Sequence, residues 1–200
     1  MNLIRTLRRP DWIDELHGVL LLGTVLTGAG GIAAVVATLA GQPIQVEVAT
    51  GTALRPDALT GAPPGVVLGD SLLLDVTDPT AAQLGWALLA ALPRFVLVTV
   101  TLALLWRAIG RARRTDPFRS GLAGSLRSLG ILLIGGGVLA WLTEVVARFG
   151  LSSTVDVGGT YTTVDLTVPA VWLFFGITLL AVGEIVRRGQ EMRADLDGVV

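Results

Sequence analysis

Two ionisable side chains of this 200-residue chain stand inside apolar runs: Arg94 within Pro79–Trp106 and Glu144 within Ser128–Ala147. A charge in hydrocarbon is costly, about 2.5–3.5 kcal/mol for Arg on insertion scales, so it needs a partner. At a helical rise of ~1.5 Å per residue, Arg94 lies ~20 Å beyond Arg107 and Glu144 ~26 Å beyond Arg127. The two depths differ by no more than a long side chain, so an intramembrane charge pair, Arg94 with Glu144, is expected. A functional version makes this pair a switch for an ion or ligand. A structural version makes it a plain ion pair, or gives Glu144 to Arg148, one turn along the same helix.

Other chemistry is scarce. There is no Cys, which removes disulfides, thiolate metal sites and cysteine nucleophiles. His17 is the single histidine, so histidine metal clusters and most general-base catalysis go too. Gly28-Ala29-Gly30-Gly31 partly matches a nucleotide-binding fingerprint but lies inside a helical run with no strand before it. The chain has no Gly-x-Ser-x-Gly elbow and no P-loop, and Asp75/Asp78 reads as a solvated turn pair. We therefore expect no enzyme, no metal and no cofactor. A net charge of −1 gives no attraction for nucleic acid. All basic residues are Arg, a bias that fits a GC-rich genome.

The elements that carry these residues follow from composition. Apolar residues make up 52% of the chain and charged ones 16%, against about 25% in soluble domains. Mean hydropathy is +0.70. The expected fold is a single integral membrane domain, mainly α. Its transmembrane helices are at 19–40, 81–107, 126–148 and 169–186, each close to the length that crosses a ~30 Å core. A cleaved signal peptide fits the first run poorly, because it exceeds the ~7–15 residues of a signal core and follows Asp11, Asp14 and Glu15.

Twelve arginines fall in the arm 1–17, the loop 108–125 with its flanks, and the tail 187–200. Only Arg55 and Arg148 fall on the other side, with Arg94 inside a span. The positive-inside rule then places both termini and the middle loop in the cytoplasm.

The remaining segments, 41–80 and 149–168, are expected outside as one small β-rich cap. Ile44–Val48 alternates with the period of a half-buried strand, and Val66–Val76 is a second β-rich run broken at Gly69-Asp70. Gly158-Gly159 reads as a two-residue hairpin turn between Val155–Val157 and Thr160–Val168. That pairing predicts Val155, Val157, Val164 and Leu166 turned toward Val46 or Leu72. Gly23, Thr27 and Gly31, spaced by four, form a small-residue stripe for close helix packing. His17 reads as an interfacial anchor. The arginines at 111–114 read as a topology determinant, with anionic lipid headgroups as an alternative ligand.

Two stretches carry a family resemblance. Thr115-Asp116-Pro117-Phe118, followed by Leu126-Arg127-Ser128-Leu129-Gly130, resembles the signature that opens the third helix of the bacterial membrane family DUF2975. The terminus from Gly183 through Glu184, Arg187, Arg188 and Asp195 to Val200 is similar to the end of that family. Val186 and Gly198 depart from the pattern, where Phe and Thr are common. The order of helices and external segments also matches, so the resemblance covers nearly the whole chain.

It implies a multi-pass protein of uncharacterised function. It also implies a cytoplasmic helix-turn-helix regulator as partner, since such regulators often accompany the family. The docking residues would be Pro117, Phe118, Arg127, Glu184, Arg187 and Arg188, and the cap would gate docking in response to an external cue. The alternatives are a subunit of a small-solute or ion transporter, which with four helices would need a homo-oligomer, and a structural envelope protein. The lipid bilayer is a partner under every reading.

Overall fold

The computed structural model describes residues 12–49, 71–114, 121–155 and 162–197. Among these the chain is mainly helical. The order is α1 (Trp12–Leu39), strands β1 (Ile44–Ala49) and β2 (Ser71–Val76), then α2 (Ala81–Arg114), α3 (Leu122–Ser153) and α4 (Thr167–Asp197). Four stretches are long and apolar enough to cross a membrane: Asp14–Leu39, Ala81–Ala112, Leu122–Ser153 and Thr167–Arg193. This is the arrangement of a multi-pass membrane protein.

The helices outrun the expected spans. α2 has 34 residues, or ~51 Å of helix against a ~30 Å core. The expected ends at 107 and 186 stopped at the first arginines, yet Arg is a good helix former and the backbone continues through it. Large apolar side chains are exposed on every helix, among them Leu22, Val96, Leu139 and Phe174. Such faces suit lipid rather than water.

The chain divides into two compact units. The first comprises the described parts of Met1–Gly30, Phe95–Val138 and Pro169–Val200. Here α1 lies antiparallel to α2: Cβ atoms placed on Gly23, Gly28 and Gly30 would meet Leu102, Thr99 and Phe95 at 3.5, 3.7 and 3.9 Å. α3 and α4 approach more closely. A Cβ on Gly130 would stand 2.8 Å from the Gly176 carbonyl oxygen, and one on Gly176 2.9 Å from that of Gly130. Gly137 lies against Trp172, where an added Cβ would meet the tryptophan Cβ at 2.5 Å. The tightest glycine seam is therefore α3–α4, whereas the contact at Gly23 is of ordinary van der Waals length. His17 stacks on Trp106 with ring centroids 5.2 Å apart, in space left by Gly110.

The second unit comprises the described parts of Gly31–Arg94 and Leu139–Val168. α1 stops at Gly41, whose φ of 78° suits glycine. Gln42 N–H bonds to Ala37 O and Gly41 N–H to Thr38 O, the Schellman pattern. β1 and β2 then pair antiparallel in the register Ile44↔Val76, Val46↔Leu74 and Val48↔Leu72. The alternation buries Ile44, Val46 and Val48 together with Leu151, and Leu74, Val76, Leu84, Trp86, Ala87 and Val155 pack around them. Burying such a side chain contributes roughly 1.5–3 kcal/mol. α2 begins in a capping box: Gln83 N–H donates to the Thr80 hydroxyl and Thr80 N–H to Gln83 Oε1. Gln83 Nε2 also donates to Thr154 Oγ1 at the end of α3.

The hairpin expected at 149–168 needs correction. α3 runs on to Ser153, no strand forms over 162–166, and α4 starts at Thr167. Residues 156–161, with Gly158-Gly159 and Val157, lie outside the described residues, as do 50–70. Val155 packs on the hairpin core as expected, but Val164 and Leu166 are 45% and 68% exposed. The cause is local. Asp165 Oδ1 accepts both the N–H and the hydroxyl of Thr167, an Asx turn, and Pro169 fits the first helical turn. That turn starts a helix where alternation alone reads as strand.

Candidate functional site

The second unit gathers its charges around Glu144. This carboxylate, on α3, is 8% exposed. Its Oε2 lies 3.7 Å from Arg94 Nη2 on α2, and its Oε1 accepts from Arg148 Nη2 at 2.6 Å. Arg148 Nη1 lies 3.4 Å from Glu47 Oε2 on β1. A line of four alternating charges thus joins α2, α3 and β1. The expected partners meet, and so does the competing pair one turn along. Arg148 makes the tighter bond, and Arg94 stands at the edge of ion-pair range.

Glu47 was missed as the fourth member. Its position on the exposed face of an alternating strand carried no sign of a partner 101 residues away. The two arginines keep about two-fifths to half of their side-chain surface exposed, so the network is a partly solvated one.

A cleft of about 100 Å³ opens beside it, lined by Arg94, Trp141, Glu144, Val145, Arg148, Thr163, Asp165 and Val168. Trp141 Nε1 donates to the Asp165 carbonyl oxygen at 2.9 Å and fixes this wall. The Asp165 carboxyl is held below the usual carboxylate range, chiefly by the Thr167 hydroxyl and then by its backbone N–H, with Arg148 and Arg94 adding to the effect. Two cationic and two anionic groups face this cleft, so it suits a small polar guest rather than a strongly charged one. Among the described residues no group of three or more His, Asp or Glu is placed to hold a metal ion.

The other expected site residues belong to the first unit. Glu184 accepts from Arg187 at 2.6 and 2.8 Å and from Arg188 at 2.9 Å, and Arg187 also pairs with Glu191. These are bonds along α4 itself. Among the described residues no ion pair ties Glu184 to Arg127. The two helices meet there differently: a Cβ on Gly183 would lie 3.3 Å from Leu126 Cβ and 3.4 Å from Arg127 N. Pro117 and Phe118 lie outside the described residues.

Compared with known proteins, the chain matches no family model, no curated protein and no solved structure.

Proposed function

We propose that this chain is a regulatory protein of the bacterial cytoplasmic membrane that docks a cytoplasmic partner. In this reading both termini and the segment joining α2 to α3 face the cytoplasm, a direction that the arginine distribution supports. The β1–β2 hairpin and the turn before α4 form the extracytoplasmic cap, which gates docking in response to an external cue. The partner implied by the resemblance to DUF2975 is a helix-turn-helix regulator, and the docking surface comprises Pro117, Phe118, Arg127, Glu184, Arg187 and Arg188.

The observation that carries the reading is the C-terminal part of α4. The helix continues to Asp197, and on it Ile185 and Met192, seven residues apart, are 69% and 64% exposed beside the Glu184–Arg187–Glu191 row. An apolar stripe flanked by a charged ladder is what a partner helix or groove takes hold of.

Phe118→Ala and Met192→Asp test it. Docking requires normal membrane abundance together with loss of a co-purifying helix-turn-helix protein and of its transcriptional response. If both variants insert and leave interaction and transcripts unchanged, the docking reading fails. A second reading, a subunit of a small-solute or ion transporter, draws its support from the polar cleft beside Glu144. It requires uptake by the reconstituted protein that Glu144→Gln alters.

A further inference from the structure

A groove of about 580 Å³ runs between α2 and α3 in the first unit. Its lining changes character along its length. One end holds Arg111, Ser125 and Ser128, and the other Leu104, Leu129 and Leu132. On α2, Leu104 and Arg111 are seven residues apart and so share a face ~10 Å long. On α3 the wall from Gly121 to Leu132 extends ~16 Å by the same measure. At the polar end the floor is open, because a Cβ on Gly124 would meet nothing within 4 Å. Arg111 is exposed, with its Nε turned back to the Arg107 carbonyl.

We infer that this groove binds one anionic glycerophospholipid of the surrounding leaflet. Its phosphate lies at Arg111 and the Ser128 hydroxyl, and an acyl chain lies along Leu104 and Leu132. The charge matches the headgroup, the polar-to-apolar gradient matches the molecule, and Arg111 stands at the arginine-rich end of α2, beyond the apolar run 95–106. The inference rests on the helices spanning a bilayer and is independent of the docking of a regulator.

The test is native mass spectrometry of the full chain released from phosphatidylcholine nanodiscs doped with phosphatidylglycerol. Incorporation into the discs checks the membrane reading separately. Wild type should retain one phosphatidylglycerol in preference to phosphatidylcholine. Arg111→Gln should weaken that retention roughly fivefold, the effect of one basic group near a headgroup. Gly124→Leu fills the open floor without a clash at its Cβ, so it should incorporate and unfold as wild type does while retaining no phosphatidylglycerol. Equal retention of both lipids by wild type and variants would overturn the proposal. So would displacement by inorganic phosphate as readily as by the lipid, or a lipid-free dimer that closes the groove with a second copy.

Discussion

At Glu144 two arginines share one buried carboxylate, and the distances rank them: 2.6 Å to Arg148 and 3.7 Å to Arg94. Replacing Glu144 with Gln takes the shared anion from both guanidinium groups and leaves Arg148 its longer contact to Glu47, which should cost about 1–3 kcal/mol. Glu47→Gln removes only a half-exposed pair and should cost less than ~1 kcal/mol. Unfolding in detergent would compare them, and equal losses would contradict the ranking.

Asp165 gives a pH signature. Its folded pKa lies below its unfolded one, so its contribution is full above about pH 4 and disappears as pH falls through the folded value. Asp165→Asn should lower stability at neutral pH, change little in acid, and so flatten the acid limb of the stability profile. An unchanged acid limb would mean that the Thr167 bonds do not hold the carboxylate in solution. The Arg94–Glu144 pairing was legible from depth alone, because two charges at one level in hydrocarbon have few alternatives. Glu47 was not legible, since its role depends on where the strand lands against α3.

Among the elements, α3 carries three adjacent glycines with three different surroundings. A Cβ on Gly135 meets nothing, one on Gly136 meets the mobile tip of Leu97 at 2.8 Å, and one on Gly137 meets Trp172 Cβ at 2.5 Å. Gly135→Ala should therefore stabilise the helix by up to about 1 kcal/mol, and Gly136→Ala should be nearly neutral. Gly137→Ala should cost about 1–3 kcal/mol through overpacking. Thermal unfolding in one detergent reads all three, and a flat series would refute the close α3–α4 approach.

In the hairpin core Leu151→Ala should cost about 2–5 kcal/mol. Strand β1 could be read from Ile44–Val48 because its alternation is strict and its inward residues are all β-branched. The seam of Gly130 and Gly176 could not, because 45 intervening residues conceal which turns of two helices face each other. The segment before α4 misled for a third reason: Thr160–Val168 alternates like a strand, while one Asx turn at Asp165 commits the backbone to helix. Thr80-Ala81-Ala82-Gln83, by contrast, is a capping box that the sequence displayed and that pattern-reading by hydropathy passed over.

For the whole molecule, four apolar helices account for the large side chains left exposed, and the arginine asymmetry proposes which way they run. The regulatory reading needs that direction, because its docking residues must face the cytoplasm and its hairpin must not. The chain's lack of cysteine makes the direction unusually easy to read, since each introduced thiol is the sole target of a thiol reagent. Asp75→Cys lies on the exposed face of β2, and Gly189→Cys lies on α4 between Arg188 and Glu191. The most direct test is labelling of these two variants in intact cells with a membrane-impermeant maleimide, repeated after lysis. The account predicts that Asp75→Cys labels in intact cells and Gly189→Cys only after lysis. Labelling of both positions from the same side would contradict it.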